Sequence, residues 1–218
     1  TTEIYTLSLH DALPIFTYYF SMVSPWAYIG HRHFMEVAAR HGLKVDYHPM
    51  DLLAVFGETG GVPLAKRHPS RLDYRSVELQ RWRAERGLAF NLKPRFFPFN
   101  ASLADRLVIA QCEHGEDPEP FIAAGFDAIW NQDRDLADEA VLRELLRACG
   151  RDADGLLALA GSEEVVARYD AYTAEAVAAG VYGSPCYVFN GEHFWGQDRI
   201  DLLDRTIASG RAPFVPAR

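Results

Sequence analysis

The chain has 218 residues, 49% hydrophobic and 24% charged, enough apolar material for one large domain or a domain with an insertion. Its formal net charge of −8 lacks the basic footprint of a nucleic-acid binder, and no apolar run approaches the roughly 18 residues a membrane helix requires. The cysteines, Cys112, Cys149 and Cys186, are odd in number and widely spaced, unlike a secreted disulfide framework, so a reducing cytoplasm is the expected compartment.

Thr1 to Pro14 has no strong amphipathic period and no basic stretch leading into a long apolar one, which argues against a signal peptide. The string from Tyr5 to Ile15 resembles translated sequencing adapter. Residues 1–15 are therefore expected to be foreign to the gene or a disordered extension, and are set apart from the fold. Phe16 to Phe20 reads as a buried strand. Pro25 to His41 reads as an amphipathic helix, with Trp26, Ile29, Phe34, Val37 and Ala38 near one face and Gly42 as its terminator. Leu43 to Met50 alternates as a second strand, and strand–helix–strand in this order predicts a parallel pair. Glycines and prolines between Asp51 and Pro69 predict a loop.

A helical middle follows. Helices are expected over Ser70–Arg86, Ser102–Cys112, Pro118–Trp130, Asp138–Ala148, Asp152–Ala160 and Ser162–Ala179, with Ser102 and Asp105 spaced as in a capping box. Cys186–Phe189 and His193–Trp195 then read as strands joined by the turn signal Asn190-Gly191, and Asp198–Ser209 as a terminal helix.

Three places in this pattern carry chemistry. Ser24-Pro25 stands at the first strand-to-helix junction, an N-cap serine followed by an N1 proline. Its hydroxyl can cap the helix and still offer one hydrogen to a ligand, at a helix end that favours negative charge. Pro185 directly precedes a strand, in Gly180-Val-Tyr-Gly-Ser-Pro185, and is a candidate cis proline; otherwise it is an ordinary trans proline at a strand start. Gln197 and Asp198 open the last helix, where Asp198 either caps the backbone beside a buried Trp195 or faces an ammonium group.

Other features read as structure. His31 and His33 sit two apart and do not share a helix face. The acids from Asn131 to Asp138 lack the glycine of a calcium loop, and Cys186 reads as a small buried residue. Trp26, Trp82, Phe96, Phe97 and Trp130 read as core, some of them lining a pocket where the helical middle meets the strands.

Taken together, the segments Tyr19-Phe-Ser-Met-Val-Ser-Pro-Trp-Ala-Tyr28, Gly180-Val-Tyr-Gly-Ser-Pro185 and Phe194-Trp-Gly-Gln-Asp-Arg199 resemble the 2-hydroxychromene-2-carboxylate isomerase family. That family is close to kappa-class glutathione transferases and to the wider DsbA-like group. The resemblance runs from residue 16 to about 210 and includes Glu78-Leu-Gln-Arg-Trp82, Phe97-Pro98 and the stretch from Trp130 to Asp135. It implies an α/β, thioredoxin-like fold, βαβ then ββα, with a large all-helical insertion. Residues 16–65 and 181–212 would form the thioredoxin-like part and 66–180 the insertion. In dithiol members of that fold, two cysteines occupy the positions of Ser24 and Ala27.

By this resemblance Ser24 contacts the sulfur of glutathione, and Ser184 and Pro185 pair with the cysteinyl backbone. Gln197 and Asp198 hold the γ-glutamyl end, and Lys66 reaches the glycine carboxylate or an acidic substrate. Gly61 stands where the family often carries asparagine. The implied reaction is glutathione-dependent cis–trans isomerisation of an aromatic 2-oxo acid or its cyclic hemiketal. A kappa-like transferase or peroxidase would use the same site, and a DsbA-like peptide-binding module or chaperone would use the proline loop without chemistry. A homodimer is the candidate assembly.

Overall fold

The computed structural model describes residues 15–217. The expectation for residues 1–14 lies outside them, and Ile15 belongs to the fold rather than to the extension. Strand β1 runs Ile15–Phe20, with Ile15 opposite Lys44 of β2 (Lys44–Pro49), and the two strands are parallel as expected. Helix α1 (Pro25–Arg40) connects them. Strands β3 (Cys186–Phe189) and β4 (Glu192–Trp195) add on antiparallel, giving the sheet order β2-β1-β3-β4. The turn between them has Asn190 and Gly191 at φ of 50° and 81°, which is why that dipeptide is there.

Between β2 and β3 come α2 (Leu52–Thr59), α3 (Pro69–Glu85), α4 (Ser102–Glu113), α5 (Glu119–Trp130), α6 (Glu139–Ala148), α7 (Ala153–Ala160) and α8 (Glu163–Ala179). Helix α9 (Ile200–Ser209) closes the pattern. Helices α4 and α8 pack on β2, and α5 and α9 pack on α1. One apolar cluster therefore runs from Phe16, Tyr18 and Phe20 of the sheet through Phe34 of α1 to Leu107, Phe126 and Leu146 of the inserted helices. The insertion shares the core of the sheet instead of owning a separate one. Of α3, by contrast, only Leu79 is buried. Among the described residues no helix is long and apolar enough to cross a membrane.

Three expectations change. The loop over 51–69 contains α2, because Asp51 Oδ1 accepts from Leu53 N–H and Ala54 N–H at 2.9 and 3.1 Å and starts a helix. Gly57 is tolerated inside that helix, and Gly60 terminates it at φ 79°. Ser102 and Asp105 do not make a capping box. Ala101 is the N-cap, Asn100 Oδ1 accepts from Ser102 N–H at 3.0 Å, and Asp105 turns inward. Asp198 lies in a 3-10 turn over Gln197–Arg199 ahead of α9 and caps nothing, and Trp195 is half exposed rather than buried.

Candidate active site

The β1–α1 junction is built as its residue types require. Ser24 has extended backbone angles, φ −84° and ψ 116°, and its Oγ accepts from Ala27 N–H at 3.2 Å. The same hydroxyl donates to the Ser184 carbonyl at 3.0 Å. Ser184 is joined to Pro185 by a cis bond, so the expected cis proline is present; Phe97–Pro98 is also cis. Ser21 N–H donates to Ser184 Oγ at 3.1 Å, which ties the proline loop to the junction a second time. The hydroxyl hydrogen of Ser24 is thus engaged by the proline loop. To serve a thiolate it must turn away from a neutral acceptor to a charged one, an exchange that favours the anion.

Behind the junction lies a residue whose role the sequence pattern concealed. Asp105 of α4 is fully buried. Its carboxylate accepts from the Ser21 hydroxyl at 2.7 Å, from Met22 N–H at 2.8 Å and from the Tyr169 hydroxyl at 3.4 Å. Burial pushes this carboxyl up to about 7 against the downward pull of those donors. Asp105, Ser21, Ser184 and Ser24 form one connected set of hydrogen bonds between the inserted helices and the two site loops. Serine and aspartate three apart at a helix start match a capping box in one dimension, and nothing local in the sequence distinguishes that from a buried carboxyl.

Beside the junction opens a cleft of about 880 Å³, within the range of small-ligand sites. Trp26, in the first turn of α1, lines it. Its lining takes Gly183, Ser184 and the stretch Trp195–Arg199, then Phe56 and the stretch 59–62 at the end of α2, Arg67 ahead of α3, and Arg71, Tyr74, Arg75, Glu78 and Trp82 of α3. Ser184, Gln197 and Asp198 therefore come together as expected. Ser24 is 2% exposed and lies just behind Ser184. Gln197 is buried, and its Oε1 has no hydrogen-bond partner. Asp198 is exposed and, among the described residues, makes an ion pair only with the adjacent Arg199, at 3.5 Å.

One expected contact, that of Lys66, is not where the sequence put it. Lys66 is exposed, in a 3-10 turn over Leu64–Lys66, and does not line the cleft; its neighbour Arg67 does. At Gly61 a Cβ would lie 2.3 Å from the Phe56 ring, so that ring fills the space an asparagine side chain would need. No cysteine lines the cleft. Cys186, next to Pro185, is buried, and burial pushes its thiol up to about 12, so it supplies no thiolate near neutral pH.

The donor set fits glutathione. The tripeptide would need a carboxylate partner for its ammonium, a group that Asp198 brings to the cleft beside Gln197. It also needs cations for its carboxylates, of which the cleft has four arginines.

A profile of the DSBA-like thioredoxin domain matches residues 16–208. A 2-hydroxychromene-2-carboxylate isomerase of Sphingobium xenophagum is 28% identical over 189 residues, 86% of this chain and 94% of that protein. One from Pseudomonas putida is 28% identical over 196 residues, 88% of this chain and 94% of that protein. A solved 2-hydroxychromene-2-carboxylate isomerase superposes with a TM-score of 0.71 at 28% identity, over 89% of this chain and 95% of its own. The cytosolic disulfide reductase DsbM from Pseudomonas aeruginosa shares the fold, with a TM-score of 0.65 at 19% identity over 89% of this chain and 99% of its own. The thioredoxin-like sheet, its helical insertion and the match along nearly the whole described length make this chain a member of the DSBA-like thioredoxin domain family.

Proposed function

We propose that the chain is a glutathione-dependent isomerase of the 2-hydroxychromene-2-carboxylate type, acting in a reducing compartment. One observation carries the reading most directly. The position that holds a dithiol in redox members of the fold holds Ser24 and Ala27, while the cleft beside it has no thiol of its own and the charges to hold one brought by a ligand. The names of the 28%-identical relatives, matched along most of their length, supply the substrate class.

Glutathione, when bound, supplies a thiolate that adds reversibly to the conjugated side chain of the substrate and lets the former double bond rotate. The residues of the chain do the rest. The N-terminus of α1 favours negative charge at the sulfur, and Ser24 Oγ–H is the donor that can turn to it. Ser184 presents its backbone to the cysteinyl unit, beside the cis Pro185. Asp198 and Gln197 fix the γ-glutamyl end. Trp26, Tyr74 and Trp82 shape the cavity for an aromatic ring. Holding nucleophile and alkene together raises their effective concentration without any change in the net composition of the substrate.

The test is turnover after gel filtration. Interconversion of a benzylidene-pyruvate-type acid, followed by ultraviolet absorbance, should disappear when small molecules are removed and return with added reduced glutathione. Full activity in the absence of any thiol would remove the proposal.

A further inference from the structure

Helix α1 meets α9 and the turn before it, and the contact begins at the cleft. At Gly30 of α1 a Cβ would lie 2.6 Å from Gln197 Cβ and 3.0 Å from Ile200 Cδ1, so the turn that carries Gln197 and Asp198 rests directly on the helix backbone. Farther along both segments, in the same order, come two imidazole–carboxylate pairs. His33 Nε2 lies 2.7 Å from Asp201 Oδ1, and His41 Nε2 lies 2.6 Å from Asp204 Oδ1. Arg40 Nη1 donates to the other oxygen of Asp204 at 2.5 Å. The side chains of His33, His41 and Asp204 are 21, 19 and 26% exposed, so water screens these pairs less than open surface ones. The helix ends suit the signs: Asp201 stands in the first turn of α9, and Arg40 and His41 stand at the end of α1.

The surrounding charges are mostly engaged elsewhere. His33 Nδ1 lies 3.8 Å from Glu36 Oε2 on its own helix, and Glu36 also meets Arg32 at 3.6 Å. A cavity of about 220 Å³ beside His33 is lined by those two residues and by Glu85 and Arg86 from the end of α3. Arg86 stacks over the Trp82 ring, and Glu192 of β4 is taken by Arg211. His31 faces Glu119 of α5 at 3.8 Å, away from α9. His41, and then Arg40, hold the Asp204 carboxyl below the usual carboxylate range against the cost of its burial, so this acceptor stays charged from about pH 5 upward. Imidazole is the side chain whose ordinary charge change falls between about pH 5 and 8. Below that range each pair joins two full charges. Above it a neutral ring still donates one hydrogen, but the bond is no longer charge-assisted and weakens.

We propose that His33, Arg40 and His41 of α1, with Asp201 and Asp204 of α9, form a clasp that positions the Gln197–Arg199 turn on the cleft, tight at mildly acidic pH and looser as the pH rises through the imidazole range. These are positioning residues, which act through the turn. Naming what the turn holds, the γ-glutamyl end of glutathione, rests on the proposed function; the clasp itself rests on the two pairs. Ser24 is tied to the proline loop at the other end of α1, so the clasp governs binding rather than the chemical step.

The experiment is calorimetric titration with S-methylglutathione at pH 5.5, 6.5 and 7.5, beside urea unfolding at the same pH values. The methylated sulfur cannot ionise, and Asp105 and His31 are kept in every protein, so differences between proteins isolate the clasp. The proteins are wild type, His33→Arg, the double variant His33→Gln/His41→Gln, and His114→Gln, which removes an exposed pair with Glu116 past the end of α4. The double variant should bind about fivefold more weakly than wild type at pH 5.5 and about equally at pH 7.5. His33→Arg, whose charge is permanent and whose longer side chain has the cavity to enter, should bind more tightly than wild type at pH 7.5. His114→Gln should follow the wild type throughout. A clasp that only stabilises would shift the urea midpoints and leave every Kd alone; that result, or a ratio of double variant to wild type that stays constant with pH, would overturn the proposal. No binding of S-methylglutathione by wild type at any pH would overturn the glutathione reading instead. Hydrogen-exchange protection at residues 197–200 then decides the clasp: it should fall from pH 5.5 to 7.5 in wild type and not in the double variant, and equal behaviour in the two would overturn it.

Discussion

Replacing Asp105 with asparagine should remove a pH dependence of stability that the wild-type chain carries between about pH 4 and 7. The carboxyl is fully buried, and desolvation raises it from 3.8 to about 7 although Met22 N–H, Ser21 and Tyr169 all donate to it. Asp51 adds a smaller push in the same direction. In the unfolded chain the same group ionises near its ordinary value, so the folded chain holds the proton more tightly. Its contribution is therefore fully present below about pH 4 and is lost as the pH rises through about 7. A gap of about three pH units corresponds to about 4 kcal/mol, at about 1.4 kcal/mol each. Asparagine keeps the shape and the acceptor for Met22 N–H, and its amide can donate to the Ser21 or Tyr169 hydroxyl once those rotors turn.

The assay is urea unfolding of both proteins from pH 4.5 to 8, with the difference in stability plotted against pH. The carboxylates held below their ordinary range, Asp46, Glu119, Glu192 and Asp204, lose their contributions as the pH falls through their own low values. They are common to both proteins and cancel in the difference. The wild type should gain on the variant toward pH 4.5 and lose ground toward pH 8, by a few kcal/mol in all. A difference that stays flat across this range would refute the reasoning.

Ser24→Ala should cost about 1 kcal/mol for the lost cap and about 1 more for the Ser184 carbonyl left without its donor, measured by thermal or urea unfolding. Turnover at saturating glutathione should fall by more than the stability loss explains; unchanged turnover would leave Ser24 a cap and a loop tie only. Asp198→Asn should leave the melting temperature of the free protein nearly unchanged, because this carboxylate caps no backbone group. Its Kd for glutathione should rise about tenfold, or about 1.4 kcal/mol, and an unaltered titration would remove Asp198 from the site.

Much of the fold was legible because its signals are local. Ser24-Pro25 marks the start of α1, Asn190-Gly191 turns β3 into β4, and Gly180 ends α8 at φ 77°, each through the backbone conformation its residues permit. Helix α2 was hidden because glycines at 57, 60 and 61 read as breakers, whereas only Gly60 ends the helix and Gly61 makes room for Phe56. Of the site, Ser24, Ser184, Pro185, Gln197 and Asp198 were findable because motifs place them together. Arg67, Arg71 and Arg75 recur at intervals of four, but such a row also occurs on solvated helix faces. Only the cleft distinguishes the two.

Asp105 was illegible for a deeper reason. Its partners lie 83 or 84 residues earlier in the chain, at Met22 and Ser21, and 64 later, at Tyr169. No window along the sequence contains the interaction, and the nearer pattern, a serine three residues before, suggests something else. Yet this carboxyl connects the insertion to the site: α4 supplies Asp105, Asp105 holds Ser21 and Met22, Ser21 holds Ser184, and Ser184 takes the hydroxyl of Ser24. The Ser21 carbonyl also accepts from Ser24 N–H at 3.0 Å, so the junction is fixed from both sides. The inserted helices thus do more than roof a cleft on a ready-made sheet, because one of them sets the loop from which α1 begins. Substitutions on the inner face of α4, far from any ligand, should therefore alter the presentation of Ser24, whereas those on the outer face of α3 alter only what the cleft admits.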